Sequence, residues 1–67
     1  MINTAKIKER MKEIGITQRD MAHVLGISEP AVSQKLNNQK ATNLKQAKTI
    51  AEMLNIKNYE LKAYFFM

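Results

Sequence analysis

The stretch "GISEPAVSQKLNN", residues 26–38, decides how this chain folds. It opens with a glycine, and the only proline of the chain, Pro30, follows four residues later. Ser28 is a favourable helix N-cap, and a proline just after it falls in the first helical turn, where the backbone N–H would have no partner within the helix. The proline therefore begins a helix, in which Val32 and Leu36 lie on one side.

A second short helix is predicted just before Gly26. Thr17 is its expected N-cap, Asp20 completes a capping box, and Gly26 ends the helix in the left-handed conformation that glycine adopts without strain. Its inner side is predicted to consist of Met21, Val24 and Leu25. Two short helices joined by a glycine turn, with the small Ala22 where the backbones approach each other, meet the geometric requirements of a helix-turn-helix.

Apolar spacing predicts a further helix at the start of the chain, over about residues 4–14. Its apolar positions are separated by four and three residues: Ile7, Met11 and Ile14. Asn3 or Thr4 is the expected N-cap, and Gly15 is the expected end.

Two more helices are predicted after residue 42. Asn43, with Gln46 three residues later, starts the fourth helix, and Asn55 ends it. Asn58 is the expected cap of a short fifth helix. The apolar residues of that helix are Leu61, Tyr64 and Phe65. Because no segment alternates apolar and polar residues as a strand does, we expect an all-α fold of five helices in a single domain, residues 1–67.

Composition excludes several classes of protein and site. The chain has no cysteine and one histidine, so we expect no disulfide, no metal site, no cofactor and no enzymatic activity. No apolar run approaches the roughly 20 residues of a membrane-spanning helix. The start "MINTAKIKERMKEIG" carries charges where a signal peptide has its apolar region. We therefore expect a soluble, cytoplasmic protein with neither a membrane partner nor a small-molecule ligand.

The positive charge of the chain is concentrated in one segment. The formal net charge is +5, which indicates a polyanionic partner. Between Pro30 and Ala51 there are four lysines and no acidic residue, whereas charges nearly balance in the rest of the chain. The four are Lys35, Lys40, Lys45 and Lys48. The basic segment therefore begins within the helix that the proline starts.

That helix has an amide-rich outer side. Opposite its apolar residues, a helical wheel places Pro30, Gln34 and Asn37, with Ser33 and Asn38 at the flanks. Glutamine and asparagine pair bidentately with adenine, and serine can donate to or accept from a base edge. Each of these residues alone is also compatible with a solvated surface position. Together, on this motif and beside the basic segment, they predict readout of bases in double-stranded DNA.

The segment "TQRDMAHVLGISEPAVSQKLNN", followed by "NLKQAKTIAEMLNI", resembles the DNA-binding domain of the lambda-repressor-like family of phage and bacterial helix-turn-helix regulators. The Thr-Gln opening, Ala22, Gly26, Val32 and Asn37 fit the family pattern. The resemblance implies a five-helix domain that binds operator DNA as a two-fold homodimer, with residues 28–37 as the recognition helix. The function expected is sequence-specific regulation of transcription by a phage- or prophage-type repressor that occupies its operator.

Two sets of DNA contacts are expected from the resemblance and from residue position. Base readout is assigned to Pro30, Ala31, Ser33, Gln34 and Asn37. Phosphate contacts are assigned to Gln18, Ser28, Lys35, Asn38, Lys40 and Lys45. Glu29 and Pro30 depart from the Gln, Arg or Ser often found early in this family's recognition helix, so its frequent first-turn base contacts are not carried over. Glu29 either accepts a hydrogen bond from cytosine or, as we favour, complements the helix dipole.

The aromatic residues all lie near the end of the sequence: Tyr59, Tyr64, Phe65 and Phe66. A core of this size is not expected to bury all of them. We therefore predict a homodimer interface made of Tyr59, Tyr64, Phe66 and Met67. The alternative is that these rings complete the core of the monomer.

Two other functions are compatible with the sequence. A helix-turn-helix scaffold also suits a protein-interaction module, such as an antitoxin or antirepressor, which would bind a protein through the apolar C-terminal helix. RNA binding is less favoured, because the major groove of A-form RNA does not admit a recognition helix.

Overall fold

Five α-helices and no β-strand make up residues 2–65, the part of the chain that the computed structural model describes. The helices are α1, Thr4–Ile14; α2, Gln18–Leu25; α3, Glu29–Leu36; α4, Leu44–Met53; and α5, Leu61–Phe65. The predicted all-α class is therefore confirmed over these residues. None of the five helices has the length and apolarity needed to cross a membrane.

Helix α1 has the bounds that the sequence predicts. Of the two candidate caps, Asn3 is the one used: its side-chain oxygen accepts the N–H of Lys6 at 3.2 Å. Gly15 ends the helix with a φ of 84°, in the left-handed region, and its N–H donates to the carbonyl of Met11.

Helices α2 and α4 begin with the predicted capping boxes. At α2, Thr17 Oγ1 accepts the N–H of Asp20 at 3.1 Å, and the Asp20 carboxylate accepts the N–H of Thr17 at 2.9 Å. At α4, Asn43 accepts the N–H of Gln46 at 2.8 Å, and the Gln46 side-chain oxygen accepts the N–H of Asn43 at 3.4 Å. Both boxes satisfy backbone donors that a helix start leaves without partners, so a few consecutive residues encode these boundaries.

The start of α5 differs from the prediction. Asn58 does not cap this helix, because it is the first residue of a 3₁₀ turn, Asn58–Glu60, that leads directly into α5. Lys57 is the extended residue before the turn, and its N–H donates to the Glu60 carboxylate at 3.1 Å. The chain therefore turns one residue earlier than expected.

All five helices contribute to one apolar core. Its buried residues are Ile2, Ile7, Met11, Met21, Ala22, Val32, Leu36, Ile50, Ala51, Leu54, Tyr64 and Phe65. Within α3, Val32 is 1% exposed and Leu36 is 0% exposed. Burying a side chain of this kind stabilises the fold by about 1.5–3 kcal/mol. The inner side of α3 is therefore held firmly against the rest of the molecule.

Val24 is not part of this core, contrary to the prediction for the inner side of α2. Its side chain is 54% exposed, whereas Met21 is 0% and Ala22 is 6% exposed. At about 100° per residue, Leu25 falls between Met21 and Ala22 on the helix surface, and Val24 falls about 60° outside that arc. The buried arc of α2 is therefore narrower than the apolar spacing alone suggests.

Candidate nucleic-acid interface

A three-residue turn, residues 26–28, joins α2 to α3. Gly26 adopts a φ of 69°, and its N–H donates to the carbonyl of Ala22. The N–H of Ile27 donates to the same carbonyl at 3.1 Å. Because Ala22 is small and buried, α3 can approach α2 closely and cross it, which is the helix-turn-helix arrangement.

Helix α3 begins where the sequence predicts. Ser28 Oγ accepts the N–H of Ala31 at 3.2 Å, and Pro30 lies in the first turn. Proline loses no intrahelical hydrogen bond at this place, so it fixes the backbone without cost to the helix. The Ser28 side chain is exposed, and its hydroxyl proton remains available to an acceptor outside the protein.

The outer side of α3 carries the side chains that the sequence assigns to base readout. Pro30 and Asn37 are exposed, and Ala31, Ser33 and Gln34 are half-buried. None of the five belongs to the core. The two sides of the helix are thus separated as the helical wheel predicts: Val32 and Leu36 are buried, and the amides and hydroxyl lie outside together with Pro30 and Ala31.

Gln34 lies at the centre of this outer side. Its backbone carbonyl accepts the N–H of Gln39 at 2.8 Å and that of Lys40 at 3.2 Å, which closes the turn after α3. The side-chain amide has no hydrogen-bond partner among residues 2–65. The turn brings the backbone of Lys40 next to Gln34. A positively charged residue therefore lies beside an amide that is free to bind a base.

Asn37 differs from Gln34, because its side chain is already bonded within the protein. Asn37 Nδ2 donates to the Ser33 carbonyl at 2.9 Å and to Ser33 Oγ at 3.3 Å. Its Oδ1 accepts from Lys8 Nζ at 3.2 Å. All these bonds are exposed to solvent, where a hydrogen bond contributes about 0.5–1.5 kcal/mol net. Hydrogen bonds to a base can replace them, but the net gain in binding free energy is smaller than for the Gln34 amide, which has no bonds within residues 2–65 to give up.

Asn38 is placed differently from its predicted role as a phosphate contact. Its Oδ1 accepts the N–H of Ile2 at 2.9 Å, and its Nδ2 donates to the Ile2 carbonyl at 2.8 Å. Both polar atoms of the side chain are therefore committed to an internal contact. A phosphate contact by the Asn38 side chain would have to replace these two bonds, so the phosphate role of Asn38 stays a prediction that this geometry does not favour.

The lysines after α3 form no ion pair with an acidic residue among residues 2–65. Within residues 2–65 the one ion pair joins Arg10 to Glu13 at 3.2 Å, both on α1. Lys40 and Lys45 are exposed, and Lys35 is half-buried with its Nζ donating to the Ala41 carbonyl at 2.9 Å. Since an ammonium group has three donors, Lys35 can hold this loop and still contact an anion.

The start of α2 combines a possible anion site with a fixed negative charge. Gln18, the first residue of the helix, is half-buried and Arg19 is exposed. Hydrogen bonds from the backbone and then from the side chain of Thr17 lower the pKa of Asp20 below its ordinary value of 3.8. Asp20 is therefore ionised at neutral pH, and the positive charge of the exposed Arg19 also lowers its pKa and offsets its negative charge.

Lys8 also lies beside the outer side of α3, although the sequence does not predict it. It lies on α1, outside the basic segment, yet its Nζ reaches the last turn of α3 through Asn37. Only the tertiary packing of α1 against the end of α3 brings these residues together, so no local pattern could have indicated it. The positive surface beside the amides extends further than the sequence suggests.

The aromatic residues near the end of the chain are divided between core and surface. Tyr64 is 7% and Phe65 is 5% exposed, and Lys6 Nζ lies 4.9 Å from the centre of the Tyr64 ring. Tyr64 thus has little surface to offer a second subunit, because it completes the core of the monomer. Tyr59 is 86% exposed. The other two residues assigned to a dimer interface, Phe66 and Met67, lie outside the described residues.

Comparison with known proteins identifies the family. A family model described as helix-turn-helix matches residues 7–60, most of the chain. The chain belongs to the lambda-repressor-like helix-turn-helix family, whose members are DNA-binding regulators and not enzymes. No curated protein and no solved structure matched the chain. Within residues 2–65, no three side chains of the types that bind metal ions converge on one site.

Proposed function

We propose that this helix-turn-helix protein is a sequence-specific regulator of transcription that binds double-stranded DNA through α3. In this proposal it acts in the cytoplasm as a phage- or prophage-type repressor, by occupying its operator. The observation that supports the proposal best is the side-chain amide of Gln34, which lies on the outer side of a firmly packed helix and has no hydrogen-bond partner within residues 2–65. The lysines next to it form no ion pair with any described residue.

Base readout is assigned first to Gln34 and second to Asn37. A glutamine amide that approaches the major groove can donate to adenine N7 and accept from adenine N6, which discriminates adenine from other bases by about 1–3 kcal/mol. Ser33, Ala31 and Pro30 line the same side of α3. They contribute a hydroxyl and apolar contacts, the latter suited to a thymine methyl group.

Phosphate contacts are assigned to residues that surround this side of α3. They are Gln18, Ser28, Lys35, Lys40 and Lys45, with Lys8 added. The lysines provide most of the sequence-independent affinity, because each neutralised phosphate releases condensed counterions. Gln18 and Ser28 fix the position of the protein on the backbone without reading bases.

A two-fold homodimer is the proposed binding form. Tyr59 offers an exposed ring for such a contact. Two recognition helices in a dimer of this kind would enter the major groove about one helical turn apart, roughly 34 Å along the duplex. The proposal therefore includes an operator with two-fold related half-sites.

Selection of bound sites from a random duplex pool tests the proposal directly. The chain of residues 1–67 is incubated with the pool at moderate salt, bound duplexes are recovered by gel shift, and the cycle is repeated before sequencing. We expect a two-fold symmetric consensus with its half-site centres about 10 base pairs apart. Recovery of unrelated sequences after several rounds would refute sequence-specific binding.

A second candidate function is a protein-interaction module such as an antitoxin or antirepressor. The observation that favours it is exposed apolar surface outside α3, at Tyr59, Leu44 and Val24, which are 86%, 69% and 54% exposed. This function predicts weak DNA binding that is independent of sequence. The selection experiment above separates the two candidates, since only the regulator yields a consensus.

A further inference from the structure

The N-terminal segment, residues 2–4, ends at the first residue of α1 and runs between the end of α3 and α5. At one side, the Asn38 amide forms the pair of hydrogen bonds with the Ile2 backbone described above, at 2.9 and 2.8 Å. At the other side, the N–H of Asn3 donates to the carbonyl of Tyr64 in α5 at 2.8 Å. We call this segment, residues 2–4, the N-terminal strap.

Thr4 adds a second connection between the strap and α3. Its hydroxyl donates to the carbonyl of Leu36, the last residue of the helix. Asn38 Nδ2 also lies 3.4 Å from Thr4 Oγ1. A carbonyl in the last turn of a helix has no partner within the helix, so Thr4 satisfies a group that would otherwise need water. The final turn of α3 is therefore fixed by residues more than thirty positions away in the sequence.

The backbone conformation of Asn38 alone does not explain why this residue is an asparagine. Asn38 has a φ of 60°, in the left-handed region. Asparagine tolerates this region, but glycine satisfies it with no steric penalty. What asparagine adds is the side-chain amide, and both polar atoms of that amide are bonded to Ile2. The choice of asparagine is explained by the strap.

We propose that Asn38 is a positioning residue of the recognition helix, which acts by binding the N-terminal strap and thereby couples the end of α3 to α5. This inference rests on the proposed function. Helix ends fray readily when their last carbonyls lack partners. The strap prevents fraying of the turn that carries Asn37 and supports Gln34, so it preserves sequence discrimination. Contacts to phosphate, which tolerate small shifts, depend on it less.

Two substitutions that remove contacts of the strap, and two controls, test the inference without a change of charge. Asn38→Gly keeps the left-handed backbone and removes the amide. Thr4→Val keeps the shape of the side chain and removes the hydroxyl, whereas Thr4→Ser keeps the hydroxyl. Met53→Ala, in the last turn of α4, is the control for a loss of stability that leaves the strap intact.

The first readout is amide hydrogen exchange in the protein without DNA, at residues 37–40. In Asn38→Gly and Thr4→Val we expect exchange to accelerate about 5- to 30-fold there, the range that corresponds to a loss of one or two hydrogen bonds. Thr4→Ser should exchange like the original protein. Met53→Ala should raise exchange across the molecule without preference for these residues.

The second readout is the ratio of affinity for the selected duplex to affinity for a random duplex. In Asn38→Gly and Thr4→Val we expect the ratio to fall on the order of fivefold or more, with affinity for random DNA nearly unchanged. Thr4→Ser and Met53→Ala should keep the original ratio. A merely structural role would lower both affinities together.

The outcomes are distinguishable. Unchanged exchange at residues 37–40 in Asn38→Gly would refute the claim that the strap prevents fraying at the end of α3. The proposed function would not be affected. Faster exchange with an unaltered ratio would overturn the positioning role alone. If the original protein prefers no duplex, the proposed function fails, and the positioning role fails with it, whatever the exchange rates are.

Discussion

The inner and outer sides of α3 differ in chemistry, burial and expected partner. The inner side, Val32 and Leu36, is apolar and almost fully buried. The outer side, with Gln34 and Asn37, is polar and lies outside the core. In this helix of eight residues, one side thus stabilises the fold and the other is available for recognition. Substitutions on the two sides should therefore have effects of different kinds, and the following predictions test that separation.

The largest effect is expected on the inner side. Leu36→Ala removes a side chain that is 0% exposed, and such a substitution costs about 2–5 kcal/mol of unfolding free energy. Since a core of this size rarely supplies more than about 3–5 kcal/mol, much of the protein should be unfolded at 25 °C. Urea denaturation followed by circular dichroism measures this. The control is Leu36→Met, which keeps the volume and should cost less than about 1.5 kcal/mol; equal losses in both variants would contradict the packing account.

The next effect is expected on the outer side, for DNA binding and not for stability. Gln34→Ala should weaken binding to the selected duplex by about 1–3 kcal/mol and change binding to random DNA little. Its unfolding free energy should stay within about 0.5 kcal/mol of the original, because alanine favours a helix. Asn37→Ala should show a smaller loss, since its amide is shared with Ser33 and Lys8. Gel-shift titration on both duplexes checks this, and an equal loss on both would reassign Gln34 to the DNA backbone.

Two lysines beside the outer side should affect salt dependence without affecting discrimination. Lys40→Gln and Lys45→Gln should each reduce the slope of log K against log salt by about 0.9, the contribution of one phosphate contact. Lys62→Gln, in α5, is the control for a change of net charge away from α3. Titrations from low to moderate salt provide the slopes. If the control lowers the slope as much as the other two, the lysines act only through net charge.

The smallest effect is expected in α2, the helix that supports α3. Hydrogen bonds from Thr17 lower the pKa of Asp20 below 3.8, so the carboxylate stabilises the fold above that pH, and this contribution is lost as pH falls through the folded-state pKa. Thr17→Ala removes the side-chain hydrogen bond and keeps the backbone N–H, so the pKa should rise only part of the way toward 3.8. An NMR titration of the carboxyl carbon measures it. No rise in that variant would show that the Thr17 hydroxyl does not contribute to the lowered pKa.

The sequence predicts those parts of this fold that neighbouring residues determine. The caps at Asn3, Thr17, Ser28 and Asn43 are all confirmed, since each cap bonds an N–H only three residues away. The division of α3 into two sides is also confirmed, because a helical wheel depends only on residue spacing. Family membership followed from the same short-range pattern.

Contacts between distant parts of the chain could not be predicted. Asn38 was assigned to phosphate, because nothing near it in the sequence indicates that Ile2 will occupy its amide. No pattern near Lys8 indicates a place beside Asn37, because only packing brings α1 to the end of α3. Val24 was placed in the core because apolar spacing does not specify how wide a buried arc will be. The end of α3, which the strap fixes, is therefore less predictable than its start.

The most direct test of the account is site selection repeated with Gln34→Ala and compared with selection by the original protein. We predict that both proteins select the same two-fold consensus except at one base pair in each half-site, where the variant accepts several bases. That position identifies the base read by the outer side of α3. Selection of an identical consensus by both proteins would contradict the claim that this side of the helix reads DNA sequence.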